Sequence, residues 1–158
     1  MVTKATAASK IMRTINHFYL EHPCLWQVED SWDGFKWIVP DDSRQNIIVF
    51  RRIDEKDNEL VVICNFAPVA RPDYRIGVPQ AKGYSVLLCS NDPDFGGTGT
   101  SYHDELFCEN IPSHSFQYSI KAFIPPLSTI WLKPNGLKKR RASKQKQPTV
   151  PHPKTEAL

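Results

Sequence analysis

Long apolar runs are missing from this sequence of 158 residues, whose longest uncharged stretches, Leu60 to Ala70 and Ala122 to Leu132, are 11 residues each. A helix crossing a bilayer needs about 20, so no membrane partner is expected. Length excludes a (β/α)₈ barrel enzyme, which takes roughly 250 residues. The four cysteines, Cys24, Cys64, Cys89 and Cys108, lie 40, 25 and 19 positions apart, too far for a zinc knuckle or redox pair. They read as small hydrophobes in a reducing cytoplasm, and Met1 to Lys10 offers no secretory signal. The histidines at 17, 22, 103, 114 and 152 have neither HxH nor HExxH spacing, so no metal and no cofactor is expected. Glycine is sparse, and Gly96-Gly97-Thr98-Gly99 lacks a following Lys. Its neighbours Asp92, Asp94, Asp104 and Glu105 would repel a phosphate, so the run reads as a mobile turn.

Charge is divided unevenly. Residues 1 to 137 carry 13 Lys and Arg against 16 Asp and Glu, whereas residues 138 to 158 carry 7 against 1. The body is mildly acidic, which argues against a nucleic-acid surface. The tail, opening on Lys138-Lys139-Arg140-Arg141 and then rich in Ser, Lys, Gln and Pro, has the composition of a disordered segment.

Between Ala5 and Tyr19, apolar residues fall at Ala8, Ile11, Ile15 and Phe18, the period of one amphipathic helix that Pro23 ends. Beyond Trp32 the period becomes that of strands. Eight are predicted: Phe35 to Val39, Ile47 to Phe50, Leu60 to Phe66, Tyr74 to Val78, Tyr84 to Cys89, Leu106 to Cys108, Phe116 to Ile120 and Thr129 to Leu132. The Ile47 run reads as buried on both faces and as hairpin partner of the Leu60 run through the polar Asp54 to Glu59 turn. In the Phe116 run, Phe116, Tyr118 and Ile120 are expected inside and Ser115, Gln117, Ser119 and Lys121 in solvent. Short, turn-punctuated strands predict an all-β antiparallel sandwich, divided as residues 1–23 helix, 24–134 sandwich and 135–158 disordered basic tail. A sandwich already complete leaves the helix's apolar stripe without a partner.

Chemistry is harder to place. The carboxylate pairs Asp41-Asp42, Asp92 with Asp94, and Asp104-Glu105 could serve glycosyl chemistry, but each lies among turn formers where Asp is favoured structurally. Cys108 with His103 or His114 approximates a nucleophile and base only by sequence proximity. Trp26, Trp32 and Trp37 could stack on sugar rings, though Trp is usually well buried, and burial is expected for each. No catalytic, cofactor-binding or metal residue is assigned.

The run Ile15-Asn16-His17-Phe18-Tyr19-Leu20-Glu21-His22-Pro23-Cys24-Leu25-Trp26, followed by Gly34-Phe35-Lys36-Trp37-Ile38, resembles the last barrel helix of bacterial 1,4-α-glucan branching enzymes and the entry to their C-terminal all-β domain. Phe50-Arg51-Arg52, Val62-Ile63-Cys64-Asn65-Phe66-Ala67-Pro68-Val69 and Tyr74-Arg75-Ile76-Gly77-Val78-Pro79 are similar to the same family in the same order. So are Phe95-Gly96-Gly97-Thr98-Gly99, Pro125-Pro126-Leu127-Ser128 and Leu132-Lys133-Pro134. The resemblance covers residues 10 to 134 and departs at Cys89-Ser90-Asn91, where the family usually has Asn-Ser-Asp. It implies an enzyme that cuts an α-1,4-glucan and rejoins the segment through an α-1,6 bond, using two Asp and one Glu that all sit on the barrel. No position here matches their motifs. The chain is therefore expected to be the C-terminal portion of such an enzyme, from truncation, a split gene or a fragmentary gene model. By itself it would be inactive, and its partner would be the catalytic barrel. Two alternatives stand beside this: a stand-alone β-sandwich that takes α-glucan or glycogen on Trp or Tyr platforms, and docking onto a separately encoded barrel through Ile11, Ile15 and Phe18.

Overall fold

Helix α1 spans Lys4–Glu21 and stops two residues before Pro23, which opens a 3₁₀ turn at Pro23–Leu25. The computed structural model describes residues 4–99 and 105–136; of the predicted 135–158 tail, Asn135 ends the last strand and residues 137–158 lie outside the described ones, as do His103 and Asp104. Strands follow at β1 Phe35–Asp42, β2 Ile47–Ile53, β3 Glu59–Asn65, β4 Arg71–Val78, β5 Gly83–Cys89, β6 Glu105–Phe107, β7 Tyr118–Ile124 and β8 Ser128–Asn135. Pairing is antiparallel throughout, giving a six-stranded sheet in the order β1-β2-β3-β8-β5-β6 and a two-stranded sheet β4-β7. The predicted β2–β3 hairpin runs in unbroken register from Ile47↔Asn65 to Ile53↔Glu59. Its turn forms because Asp54 Oδ1 accepts from the Lys56 and Asn58 amides, both at 2.8 Å, and Asp57 takes the left-handed region that Asp tolerates.

The core lies between the sheets. Val49, Val61, Ile63, Ile130 and Leu132 of the large sheet meet Ile76, Val78, Ile120 and Ile124 of the small one. One strand is sheathed on both faces, but it is β3 rather than β2. β3 is central, with the small sheet on one side and α1 on the other, whereas the outward residues Ile48, Phe50 and Arg52 of β2 are only half-buried.

The expectation of an unpartnered helix is overturned. Phe18 is buried in a cluster with Cys24 and Leu60, against Leu25, Leu88 and Trp131 on the outer face of the large sheet; its ring meets that of Trp131 edge-on at 5.9 Å. Ala7 rather than Ala8 is buried at the other end, where the helix meets the Pro93–Phe95 turn and Lys10 pairs with Asp94 at 2.6 Å. A face of alternating side chains on β3 and β8, invisible in a helix-only pattern, supplies the partner. Phe18 is thus satisfied within the chain and is not available for docking a separate barrel.

The Phe116 run is also corrected. Strand β7 begins at Tyr118, and Ser119 is fully buried, accepting from Arg75 Nη1 at 2.7 Å and donating to the Ile111 carbonyl at 2.7 Å. The preceding 109–116 segment folds back over β7, so alternation alone misplaces Ser119 outside. That segment is anchored at His114, whose Nδ1 accepts the Gly77 amide at 3.2 Å, with Ser113 Oγ 2.9 Å from the same nitrogen. Burial lowers the His114 pKa from the ordinary 6.5, opposed by the charge of Asp42. Below pH 6.5 the unfolded chain then binds more protons than the folded one, so this contribution to stability is complete above 6.5 and declines as pH falls through it. The protection of the Gly77 amide against hydrogen exchange, taken relative to its intrinsic rate at each pH, should fall between pH 7 and 5; His114→Asn, which keeps an acceptor and tolerates the left-handed backbone, should abolish that fall. An unchanged profile in the variant would refute the assignment.

Candidate functional site

Between α1 and β1, residues 23–34 cross the outer face of the large sheet at its β1 edge. Two observations fix their path. Arg52, projecting from β2, donates from Nε to the Cys24 carbonyl at 3.2 Å and from Nη2 to those of Leu25 at 3.1 Å and Val28 at 3.4 Å. Gly34 passes so close to Val28 that a Cβ there would lie 2.0 Å from the Val28 carbonyl oxygen.

The side chains that result form an aromatic groove. Phe35 and Trp37 share a face of β1 by the two-residue period and stand opposite Arg52 and Phe50 of β2 in the register. Phe35 stacks on Phe50 at 5.1 Å and meets Trp37 edge-on at 4.8 Å; Trp32 approaches Phe35 at 6.2 Å. Trp32, Phe35 and Trp37, with Glu29, Asp30 and Arg52, line an open groove of about 420 Å³. A second cleft of about 390 Å³ lies across the segment, lined among others by Trp26, Gln27, Asn58 and Lys133. Contrary to the expected burial, Trp26, Trp32 and Trp37 are 40%, 73% and 45% exposed. The sandwich interior is filled by aliphatic side chains from both sheets, and the tryptophans fall on the outer face that α1 leaves uncovered.

Flat apolar rings beside carboxylates and a guanidinium can stack on sugar C–H faces while hydrogen-bonding hydroxyls. Proton-transfer chemistry is not assembled here. Asp42 accepts from the Gln45 amide at 3.2 Å and the Tyr74 hydroxyl at 2.7 Å, and burial with that bond raises the Tyr74 phenol. Asp92 caps the Asp94 amide at 2.9 Å, and Glu105 accepts from Asn135 at 3.1 Å. Asp42, Asp92 and Glu105 are thus held in structural bonds and Asp94 pairs with Lys10, while Asp41 is exposed and Asp104 lies outside the described residues. Cys108 packs against the core, and His114 is spent on Gly77. Burial pushes the Cys24 thiol up to about 11, and all four cysteines are free.

Two elements escaped the sequence reading. Arg52 looked like the polar end of a buried strand; only the chain passing over it shows what its donors hold. The Gly96 loop is a stitched turn rather than a mobile one. The Gly96 amide donates to Pro93, Gly97 to Asp92 and Gly99 to Asn91, at 3.0, 3.0 and 3.1 Å. Gly97 is required because a Cβ there would sit 2.1 Å from the Asn91 carbonyl oxygen. The loop forms the seat on which α1 begins.

An antiparallel two-sheet module carrying a helix on its outer face, with aromatics on its surface, defines an all-β domain. Residues 37–135 match the family model described as alpha amylase, C-terminal all-beta domain, and the chain belongs to that family. Among curated relatives it is similar to the 1,4-alpha-glucan branching enzyme GlgB of Halothermothrix orenii, at 40% identity over 124 residues, 78% of this chain and 20% of that protein. The enzyme of the same name from Francisella tularensis subsp. novicida is 41% identical over 123 residues, covering 77% of this chain and 19% of the relative. That of Burkholderia pseudomallei (strain 1106a) is 34% identical over 125 residues, 79% and 17%. The chain thus spans about a fifth of the length of these relatives.

Proposed function

We propose that the chain acts as the C-terminal domain of a 1,4-α-glucan branching enzyme, packing on and stabilising the catalytic barrel, and is catalytically silent by itself. Residues 1–23 then correspond to the last barrel helix. The observation that carries this reading is a helix with two apolar sides: Phe18 is buried in the sandwich, while Met12, Tyr19 and Leu20 remain exposed off the docked face. A helix apolar on more than one side suits a position between two bodies. Free thiols suit a reducing, cytoplasmic setting. Mixed with a branching-enzyme barrel lacking its own C-terminal domain, the chain should raise the barrel's Tm and its branching rate, read as an iodine-colour shift on amylose. Colour shift by the purified chain alone, or no effect on the barrel, would overturn the reading.

The exposed tryptophans support a second reading, a β-sandwich that binds α-glucan in the Trp32–Trp37 groove. Electrophoresis through a glycogen gel should then retard the chain, with the retardation lost in Trp37→Ala. Migration unaffected by glycogen would remove this reading and leave the first intact.

A further inference from the structure

We propose that Arg52 is the positioning residue of the aromatic groove: its guanidinium clamps the carbonyls of Cys24, Leu25 and Val28 and so sets where Trp32 stands relative to Trp37 for an α-glucan chain. The proposal rests on the glucan-binding reading of this groove. Cys24 and Leu25 also pack against Phe18 and Leu60; from Trp26 to Asp33 the segment has little else to fix it. Between Pro23 and Asp33 the backbone-to-backbone bonds are local turns, such as Gln27 to the Pro23 carbonyl at 2.7 Å and Phe35 to that of Trp32 at 3.4 Å; the first tie to the sheet is at Gly34, whose carbonyl accepts the Ile53 amide at 3.0 Å. Side-chain ties along it, Tyr19 to Glu29 at 3.0 Å and Gln27 to Glu55 at 2.9 Å, are exposed and compete with water. Arg52 instead emerges near the end of β2, where the strand is still paired on both sides, with Phe35 on β1 and Leu60 on β3, so its origin is rigid. Its Nε and Nη2 are spent on the carbonyls, while the side chain also lines the groove beside Trp32 and Trp37. One planar fork reaching three acceptors over five residues is a task for arginine; lysine offers a point charge with no such spread. Gly34 completes the clamp from the other side, since the contact with Val28 leaves no room for a side chain.

The test compares the wild-type chain with Arg52→Lys and, as a second variant, Arg52→Gln. Amide exchange of Trp26 and Gln27 should accelerate about tenfold or more in Arg52→Lys, and acrylamide should quench tryptophan emission more strongly. Exchange at Val61 and Ile63 in β3 should not change. In glycogen gels the apparent Kd should rise about tenfold, the equivalent of one such hydrogen bond lost, at unaltered midpoint of thermal unfolding. Unchanged exchange in the 24–28 segment, or faster exchange with an unchanged Kd, would overturn the proposal. A general loss of β3 protection in both variants would also count against it, since Arg52 would then merely hold the sheet. If the wild-type chain is itself unretarded by glycogen, the glucan reading falls, and the clamp is judged by exchange and quenching alone.

Discussion

Replacing Arg51 with methionine is expected to lower the unfolding free energy by about 3 kcal/mol, because it strands a carboxylate inside the sandwich. Arg51 and Glu59 face each other at the inner end of the β2–β3 hairpin, Nη2 bonded to Oε2, with the Glu59 side chain only 2% exposed. Glu59 Oε1 and Arg51 Nε have no other partner, so the pair depends on its single mutual contact. The guanidinium also lies 5.9 Å from the centre of the Phe116 ring. Without the cation, the enclosed Glu59 carboxylate is left with no counter-charge. The double variant Arg51→Met/Glu59→Leu should regain most of the loss, since a well-packed apolar pair can replace a buried ion pair at little cost. Urea unfolding at pH 7 decides the matter. A single-variant loss below about 1 kcal/mol would mean that water reaches Glu59 and that the pair contributes little.

Truncating Phe18 to alanine should cost about 3–5 kcal/mol, the range for deleting a buried aromatic, and lower Tm by roughly 10 °C in a chain of this size. The loss should appear in the unfolding of the sheets as well as of the helix. Phe18 is inserted among Cys24, Leu60, Leu88 and Trp131, which belong to the segment after the helix and to strands β3, β5 and β8. Monitoring helix by circular dichroism and sheet packing by Trp131 fluorescence, in a background with Trp26, Trp32 and Trp37 replaced by phenylalanine, tests this coupling. Coincident transitions that shift together would show α1 to be part of the domain's cooperative unit. If the helical signal melts separately while the fluorescence transition stays in place, the helix is an appendage that only a larger assembly would fix.

These two sites differ in how far the sequence reveals them. The apolar period of α1 is legible, including Phe18 on its stripe, because a 3.6-residue repeat is a local property of the chain. That the stripe rests on Leu60 and Trp131 is not legible, since 42 residues separate Phe18 from the first of these and 113 from the second. Arg51 and Arg52 are adjacent in sequence and chemically identical. The strand's alternation sends the first into the core with Glu59 and the second outward to clamp three carbonyls, yet which face is inner depends on the neighbouring sheet. The tryptophans show the same division. Their platforms can be named from composition, but composition favours burial, and exposure follows only from where α1 ends and leaves the sheet uncovered.

The sequence by itself determined the helix, the existence and order of all eight strands, the β2–β3 hairpin and the kinship with the alpha-amylase C-terminal domain, because periodicity, turn residues and motif order are written in neighbouring positions. Tertiary structure alone decided which strand is sheathed on both faces, where the helix docks, why Ser119 is buried and that Trp32, Trp37 and Arg52 meet in one groove. Those outcomes depend on which surfaces cover one another, and burial is settled by residues far apart in the chain.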